Sequence, residues 1–329
     1  MSWDAVDSWL TRLAERDPAE FDTGLSPEGA RLAWEWALGA LSREALALAR
    51  AHSASPWDRA TIIAARTVFT GPLEWCALLL GRGSAVLLKH PRGVGGSAHA
   101  MAEEAAAVGL PLQTTDQRSV PPDTDFLLAM GTDHTMDTLR STLGAGVAAT
   151  LLGHRFSAAF CPVGQTDWSG VAMDVALHDS RGCLSPVVVF TDDVGAAMEG
   201  LTQGMHHAQS RVPRGFVSPA EHAAIRAREA LARVAGQVAV EPEWSVHVLP
   251  PHLWQPVALP RSLAVVEVAN RQEALQRLAP FAHQLSTVGA PTLDGSWHGA
   301  RITSHGTMQR PPIDRVHDGF SLIHITAKP

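Results

Sequence analysis

Tyrosine is absent from the 329-residue sequence, and cysteine is scarce. The lack of tyrosine excludes one class of catalytic acid. The three cysteines, Cys76, Cys161 and Cys183, are odd in number and form no Cys-x-x-Cys pair. Neither a disulfide framework nor a zinc ribbon is therefore expected, and a reducing cytoplasmic location fits this cysteine content best.

Charge is also sparse, since charged residues make up 18% of the chain against about 25% in an average globular protein. The formal net charge of −7 leaves no basic excess to neutralise nucleic-acid phosphates. The apolar content of 46% excludes a disordered chain. No apolar run approaches the ~18 residues of a membrane span, and the acidic N-terminus does not resemble a signal peptide.

Short apolar runs alternate with helical patterns after about residue 60. The predicted strands are 66–69, 85–89, 125–130 and 147–152 in the first half, and 187–191, 238–240, 245–248 and 263–268 in the second. Alternation of this kind predicts βαβ units and an α/β fold with parallel sheets. A domain boundary is expected near Phe160.

Cys183 lies on a predicted turn between a helix and a strand, next to Gly182 and Arg181. The glycine lets another group approach the backbone, and the arginine can favour the reactive thiolate. A nucleophile is one interpretation, and the other is a small buried apolar residue. Cys76 and Cys161 lie in apolar segments, so the second interpretation holds for both.

Two strand ends carry groups suited to an anionic ligand. Gly131 and Thr132 follow one predicted strand and precede a helix, an arrangement that can hold a phosphate at a helix N-terminus. The alternative is a simple N-cap by Thr132. Lys89 ends another strand and is followed closely by Arg92, which suits an anion at the edge of an open sheet or is a solvated strand end.

Histidine is abundant, with 16 residues, but no His-Glu-x-x-His motif or other metal-ligand spacing occurs, so no metal site is expected. His154 follows a predicted strand near the domain boundary. It is either a general acid/base or a structural loop residue.

Four motifs together resemble one protein family. They are residues 71–75 (GPLEW) continuing to 86–91 (VLLKHP), residues 153–157 (GHRFS), residues 181–186 (RGCLSP), and residues 308–312 (MQRPP) with 317–319 (HDG). Residues 285–289 (LSTVG) fit as well. The sequence resembles the fatty acyl thioester reductases of the bacterial bioluminescence (LuxC-like) type, within the aldehyde dehydrogenase superfamily.

The resemblance implies an aldehyde dehydrogenase-like α/β fold: two Rossmann-like parallel α/β domains with the active site between them. It implies a helical segment at 1–55, a cofactor-binding domain at 56–160 and a catalytic cysteine domain at 161–288. The tail, 289–329, is expected to pack back on the first domain. The implied substrate is an acyl-CoA or acyl-protein, and a homo-oligomer or partner subunit is a further expectation.

The resemblance also implies roles for single residues. Cys183 falls at the acyl-accepting thiolate, Lys89 at the lysine that holds the adenosine ribose, and Gly131 and Thr132 at a Gly-Ser pair that meets the cofactor. Thr70 falls near the asparagine that stabilises the oxyanion in many aldehyde dehydrogenases. Arg92, three residues beyond Lys89, favours NADPH over NADH because its guanidinium can grip a 2′-phosphate.

The general-base glutamate of aldehyde dehydrogenases would fall near Leu151, and leucine cannot activate water. This disfavours aldehyde oxidation, which must hydrolyse the acyl-enzyme, and is compatible with reduction. Val187, Arg315, Val316 and a shorter N-terminal region differ from the family pattern. The shorter N-terminal region and the threonine near the asparagine position favour an alternative, a catalytically weak paralogue that acts as a binding partner. An ordinary aldehyde dehydrogenase is a third interpretation, which Leu151 disfavours.

Overall fold

The computed structural model describes residues 2–52, 55–117, 119–317 and 319–328. Asp318, in the last of the family-like motifs, lies outside the described residues. Two compact units are formed. Unit 1 contains the residues up to Thr23, Ala30–His154 and the segment from Pro312 onward, and unit 2 contains Gly24–Gly29 and Arg155–Pro311.

The described residues form eleven α-helices and fourteen strands. The helices are α1 (Ser2–Ala14), α2 (Pro27–Gly39), α3 (Arg43–Ala51), α4 (Gly71–Arg82), α5 (Gly96–Ala107), α6 (Asp133–Thr142), α7 (Trp168–Ala176), α8 (Val194–Arg211), α9 (Pro219–Ala235), α10 (Arg271–Leu278) and α11 (Leu322–Ile325). The strands are β1 (Arg59–Ile63), β2 (Ala85–Lys89), β3 (Leu112–Thr115), β4 (Phe126–Met130), β5 (Ala148–Leu152), β6 (Phe156–Phe160), β7 (Pro186–Thr191), β8 (Gln237–Val240), β9 (Ser245–Val248), β10 (Ser262–Glu267), β11 (Leu285–Gly289), β12 (Arg301–Thr303), β13 (Val316–His317) and β14 (Phe320–Ser321).

Unit 1 is built on a five-stranded sheet in the order β3-β2-β1-β4-β5. All four strand pairs are parallel. The chain leaves β1 towards β2 on one side and later continues from β4 to β5 on the other. The order therefore reverses between β1 and β4, as it does in nucleotide-binding α/β sheets.

One predicted strand of unit 1 is wrong. Residues 66–69 form a loop, and the central strand is β1, which ends at Ile63. Four of the five β1 residues are buried, and β1 bonds to strands on both sides. Thr61, Ile62 and Ile63 are β-branched residues that favour a strand, so the sequence carries a local signal for β1 that the prediction at 66–69 placed too late.

Unit 2 contains a seven-stranded sheet in the order β12-β11-β6-β7-β10-β9-β8. Only the β8–β9 pair is antiparallel among the pairs described. All six residues of β7 are buried, as expected for a central strand covered on both faces. Helix α7 begins after the N-cap Asp167, and α9 begins with a capping box formed by Ser218 and Glu221.

Helix α1 is fixed to α4 and α5 within unit 1. The Trp9 indole donates to the carbonyl of Met101 at 2.9 Å. The Arg16 guanidinium donates to the buried carboxylate of Glu104 at 2.6 Å. Trp3 lies against Gly81 of α4 so closely that a Cβ at Gly81 would collide with the indole ring.

Asp174 fixes the segment 306–309 to α7 within unit 2. Its carboxylate accepts backbone N–H bonds from Gly306 at 2.7 Å and Met308 at 3.1 Å. Burial raises the pKa of Asp174 to about 7, although these N–H groups act in the opposite direction. The motif around Gln309 is therefore held by a buried carboxyl group that titrates near neutral pH.

The contact of α1 with α4 predicts that Gly81→Ala lowers the free energy of unfolding by about 1–3 kcal/mol, the usual cost of overpacking. Chemical denaturation measures the change. Gly39→Ala is the matched control, because no atom lies within 4 Å of the added Cβ at the end of α2. It should be neutral or stabilising by up to about 1 kcal/mol. A Gly81→Ala protein as stable as the native one would contradict the packing.

The Asp174 carboxyl predicts a pH-dependent stability. Its folded pKa of about 7 exceeds the ordinary value of 3.8, so the folded state keeps a proton that the unfolded chain has lost. Stability therefore falls as pH rises from about 4 to 7. Asp174→Asn cannot ionise and should flatten this decline, although it lowers stability at every pH because only one of the two acceptor oxygens remains. Urea unfolding at several pH values checks it, and parallel pH profiles for both proteins would refute it.

Candidate active site

The carboxyl ends of β1 and β4 mark the point where strand order reverses in unit 1. The segment after β1 leads to Thr70 and Gly71, and β4 ends at Met130, directly before Gly131. The sulfur of Met130 lies 3.9 Å from the position of a Cβ at Gly71. These two segments therefore meet at the crevice in which open α/β sheets bind their ligands.

Thr70 is buried at the start of α4 and is the residue that precedes its first turn. Its carbonyl accepts the backbone N–H of Leu73 at 3.0 Å, while its side chain makes no capping hydrogen bond. The hydroxyl of Thr70 is therefore not used by the helix end and can donate to another group.

Gly131, Thr132 and His154 come together where β4 and β5 end. The N–H of Gly131 donates to the carbonyl of Leu152 at 3.1 Å. Thr132 is the N-cap of α6, and its hydroxyl accepts from the N–H of Thr135 at 3.2 Å. The backbone N–H of His154 donates to the Asp133 carboxylate at 2.8 Å, and His154 itself is exposed.

Lys89 and Arg92 lie at and beyond the carboxyl end of β2. The half-buried side chain of Lys89 has no hydrogen bond or ion pair with any residue that the structure describes. The Arg92 guanidinium is 3.9 Å from a carboxylate oxygen of Asp116, and the two side chains are 70% and 55% exposed. An ion pair this exposed contributes little and is easily exchanged for another anion.

A cleft beside these residues was not predicted from the sequence. Its lining includes apolar side chains of Phe69, Leu88 and Met101, together with His90 and Arg66. The cleft is formed by loops that follow β1 and β2 and by α5. The only sequence signal for this cleft is the segment after Lys89, in which His90 and Pro91 follow the end of β2.

Leu151 lies on β5 opposite Ala129 of β4. It packs against an apolar cluster that contains Ile63, Leu127 and Met136. Leu151 therefore serves packing and does not itself supply a carboxylate that could activate water.

Cys183 lies in unit 2, on the turn between α7 and the amino end of β7, as predicted. Its carbonyl accepts from the hydroxyl of Ser157 at 2.6 Å, and the N–H of Ser185 donates to the carbonyl of Gly182 at 3.0 Å. Cys183 is half-buried, whereas Cys76 and Cys161 are buried. Burial raises the pKa of both of these thiols, so neither forms a thiolate readily.

The segment held by Asp174 also contacts the Cys183 turn. The Gln309 amide donates to the hydroxyl of Ser185 at 2.8 Å and to the carbonyl of Asp174 at 2.9 Å. Two of the family-like motifs, RGCLSP and MQRPP, thus meet through buried side chains in unit 2. Sequence spacing gave no sign of this contact, because the two residues are 124 positions apart.

Arg181, next to Gly182, is paired by other groups. Its guanidinium contacts Glu221 at 3.1 Å and Asp179 at 3.4 Å and donates to the carbonyl of Phe216 at 2.6 Å. These carboxylates balance the charge of Arg181, so Arg181 stabilises a Cys183 thiolate less than an unpaired arginine would.

Two buried histidines of unit 2 do not act as proton carriers near neutral pH. Burial lowers the pKa of His178 to about 4 and that of His247 to about 3. The ring of His247 shares a hydrogen bond with the Ser262 hydroxyl at 3.1 Å. Both imidazoles are therefore neutral where most enzymes work.

Among the described residues, no group of three or more histidine, cysteine, aspartate or glutamate side chains is placed to hold a metal ion. No helix within these residues has the length and apolar character that crossing a membrane requires.

Known structures match the fold across almost the whole chain. PnpE from Pseudomonas sp. WBC-3 gives a TM-score of 0.76 at 14% identity, covering 99% of this chain and 83% of that one. A putative aldehyde dehydrogenase from Burkholderia cenocepacia gives 0.75 at 14%, covering 99% and 85%. A glyceraldehyde-3-phosphate dehydrogenase from Methanocaldococcus jannaschii, complexed with NADP, gives 0.74 at 10%, covering 99% and 86%. The α/β fold is thus that of the aldehyde dehydrogenases.

Sequence comparison gives the family. No curated protein matches the chain. The family model described as acyl-CoA reductase (LuxC) matches residues 98–325, which is more than half of the chain and includes the Gly131, His154, Cys183 and Gln309 motifs. The protein therefore belongs to the LuxC acyl-CoA reductase family.

Proposed function

We propose that the protein reduces an acyl thioester, carried by CoA or by a protein, to an aldehyde with NADPH. Cys183 carries this proposal, because it is the half-buried cysteine on a turn held by Ser157 and, through Ser185, by Gln309. One thioester, one NADPH and one proton give one aldehyde, one free thiol and NADP⁺.

The Cys183 thiolate attacks the carbonyl carbon of the acyl thioester. A bond forms between the Cys183 sulfur and this carbon, and the electron pair of the broken carbon–sulfur bond leaves with the carrier thiolate. The acyl group is then held on the enzyme as a new thioester. The bond from Ser157 to the carbonyl of Cys183 fixes the direction of the nucleophile's backbone, which favours a reactive geometry.

Residues of unit 1 fit a nicotinamide dinucleotide. The crevice at the reversal of strand order suits such a ligand, and Lys89 supplies a cation that no described residue pairs. The N-terminus of α6 after Gly131 favours a phosphate. Leu88 and Met101 give an apolar wall to the small cleft beside these residues. When bound, NADPH would supply the hydride.

Thr70 and His154 complete the proposed residues. The unused hydroxyl of Thr70 is a hydrogen-bond donor of the kind that stabilises an oxyanion. His154 is exposed next to the start of α6. We assign them as oxyanion donor and proton carrier.

Reduction is favoured over aldehyde oxidation by the environment of Leu151. Oxidation must end with water attacking the acyl-enzyme, and that step needs a general base. The apolar cluster around Leu151 offers none at this place. Reduction of the acyl-enzyme by a hydride requires no activated water, so a leucine at position 151 is compatible with reduction.

Cys183→Ala should abolish both turnover and covalent acyl labelling, because the attacking sulfur is lost. Stopped assays of NADPH oxidation with acyl-CoAs of several lengths, together with mass spectrometry of the protein, measure this. Cys76→Ala and Cys161→Ala are matched controls. They should retain turnover and lose roughly 1 kcal/mol of stability, a typical effect of point substitutions.

An alanine variant of Cys183 that turns over at the native rate would refute the assignment of the nucleophile. If the native protein binds acyl-CoA or a partner protein without oxidising NADPH, the reductase proposal fails and the binding-partner alternative is supported.

Arg92→Glu should weaken NADPH binding by about 1.5–3 kcal/mol, the value of a lost charged hydrogen bond, and leave NADH nearly unaffected. Asp116→Asn removes the carboxylate that competes for Arg92 and should strengthen NADPH binding slightly. Cofactor fluorescence titration measures both affinities. An equal effect of Arg92→Glu on the two cofactors would contradict the 2′-phosphate contact.

A further inference from the structure

The turn that carries Cys183 begins with two consecutive residues in left-handed backbone conformation. Asp179 has φ 51° and Ser180 has φ 58°. They end α7 by returning N–H bonds to the carbonyls of Ala176 at 3.0 Å and Val175 at 2.9 Å. This is the helix ending in which glycine is usual at the first left-handed position, so an aspartate there requires another explanation.

The side chain of Asp179 provides that explanation. One carboxylate oxygen accepts from the Arg261 guanidinium at 2.6 Å, and the other accepts from the N–H of Gly215 at 3.0 Å. Asp179 and Arg261 are both fully buried, at 1% and 0% exposure. Glycine could form the helix end but could not make these bonds.

Arg261 is itself held in an unusual conformation. Its φ is 49°, so three of the four described non-glycine residues with positive φ belong to this contact or adjoin it. The guanidinium also donates to the carbonyls of Ala176 and Pro213, each at 3.1 Å. Arg261 therefore joins the end of α7 to the turn before β10 and to the loop before α9. Strained residues of this kind concentrate at functional sites.

We propose that the buried Asp179–Arg261 ion pair is a positioning device for the nucleophile. It fixes the first residues of the turn at one end, while the Ser157 hydroxyl and the Gln309 amide fix Cys183 and Ser185 at the other. The ion pair acts on Cys183 through the backbone of Ser180 and Gly182, without touching substrate. The inference rests on the proposed nucleophilic role of Cys183.

The test separates positioning from simple stability by removing both charges at once. Asp179→Gly/Arg261→Met keeps a left-handed residue and an apolar chain of similar volume, and replacing both partners of a buried pair is far better tolerated than removing one. Asp179→Asn keeps the shape and one of the two acceptor oxygens, and asparagine tolerates left-handed φ. Its oxygen can accept from Arg261 in a bond that is no longer charge-assisted on both sides, while its amide nitrogen cannot accept from Gly215 or Arg181.

The control is Glu74→Gln/Arg315→Met in unit 1. Arg315 makes two bonds to the Glu74 carboxylate, at 2.9 and 2.5 Å, and its side chain is also buried. This variant loses a comparable ion pair that has no contact with the Cys183 turn. Thermal melts and circular dichroism establish that each protein is folded.

The first readout is the alkylation rate of Cys183 by iodoacetamide across pH 6–10, located by mass spectrometry. It uses neither acyl substrate nor NADPH, so it remains valid if the proposed reductase activity fails. We expect the midpoint of the pH profile to move in Asp179→Gly/Arg261→Met, to move less in the same direction in Asp179→Asn, and to stay native in the control.

The second readout is steady-state turnover. We expect kcat of Asp179→Gly/Arg261→Met to fall on the order of 10²-fold, the effect of misplacing a reacting group by about an ångström, with an unchanged KM for NADPH. The proposal is overturned if folded Asp179→Asn keeps both the native alkylation profile and the native kcat, or if the control shifts as far as the test variants.

Discussion

Burial of both sheet faces is the constraint on which the rest of this molecule depends. Parallel sheets are covered on both faces. Strand β7 is an example, since all six of its residues are buried. Polar chemistry is excluded from such faces unless it is fully paired. The candidate residues of unit 1 accordingly lie at strand ends, with Lys89 closing β2 and Gly131 following β4.

Unit 2 places its candidate nucleophile at the opposite end of a strand. Cys183 precedes the amino end of β7 and follows the carboxyl end of α7, outside the hydrogen bonds of both elements. A segment in that position has no ladder to fix it. Side chains from distant parts of the chain replace the ladder, among them Ser157, Gln309 and Asp179. The backbone strain of the turn, on the order of 1–3 kcal/mol for each left-handed residue, is borne by these buried bonds.

Local sequence patterns predicted the strands whose apolar runs have clear ends. Strand β2 matches its prediction at both ends, because its apolar run is bounded by Ser84 and His90. Strand β6 was missed because Ser157, Ala158 and Ala159 give its run little β propensity. Strand β1 was misplaced although its β-branched residues favour a strand. The α/β class and the family were accessible, the latter from motifs rather than from periodicity.

The candidate site was predictable residue by residue but not as a set of contacts. The turn at Cys183 and the strand end at Lys89 follow from short segments. The bond between Asp179 and Arg261 joins positions 82 apart, and nothing in either segment indicates the other. Arg315, which differs from the family pattern, contacts Glu74 of the GPLEW motif across 241 positions. Ion pairs between residues so far apart in sequence are set by the tertiary fold and leave no local sequence signal.

The division of unit 1 among three chain segments has a consequence for biosynthesis. Its sheet is complete at Leu152, but α4 is covered partly by residues from Pro312 onward: Leu322 and Ile323 enter the same apolar core, and Arg82 donates to the carbonyl of Ile323 at 2.8 Å. A ribosome makes all of residues 155–311 before these arrive. Until then α4 is covered by α1 and α3 but not by Leu322 and Ile323, and an incompletely covered apolar surface is of the kind that chaperones bind. The core of unit 1 is therefore completed only after residues 155–311 have been made, although its sheet is made first.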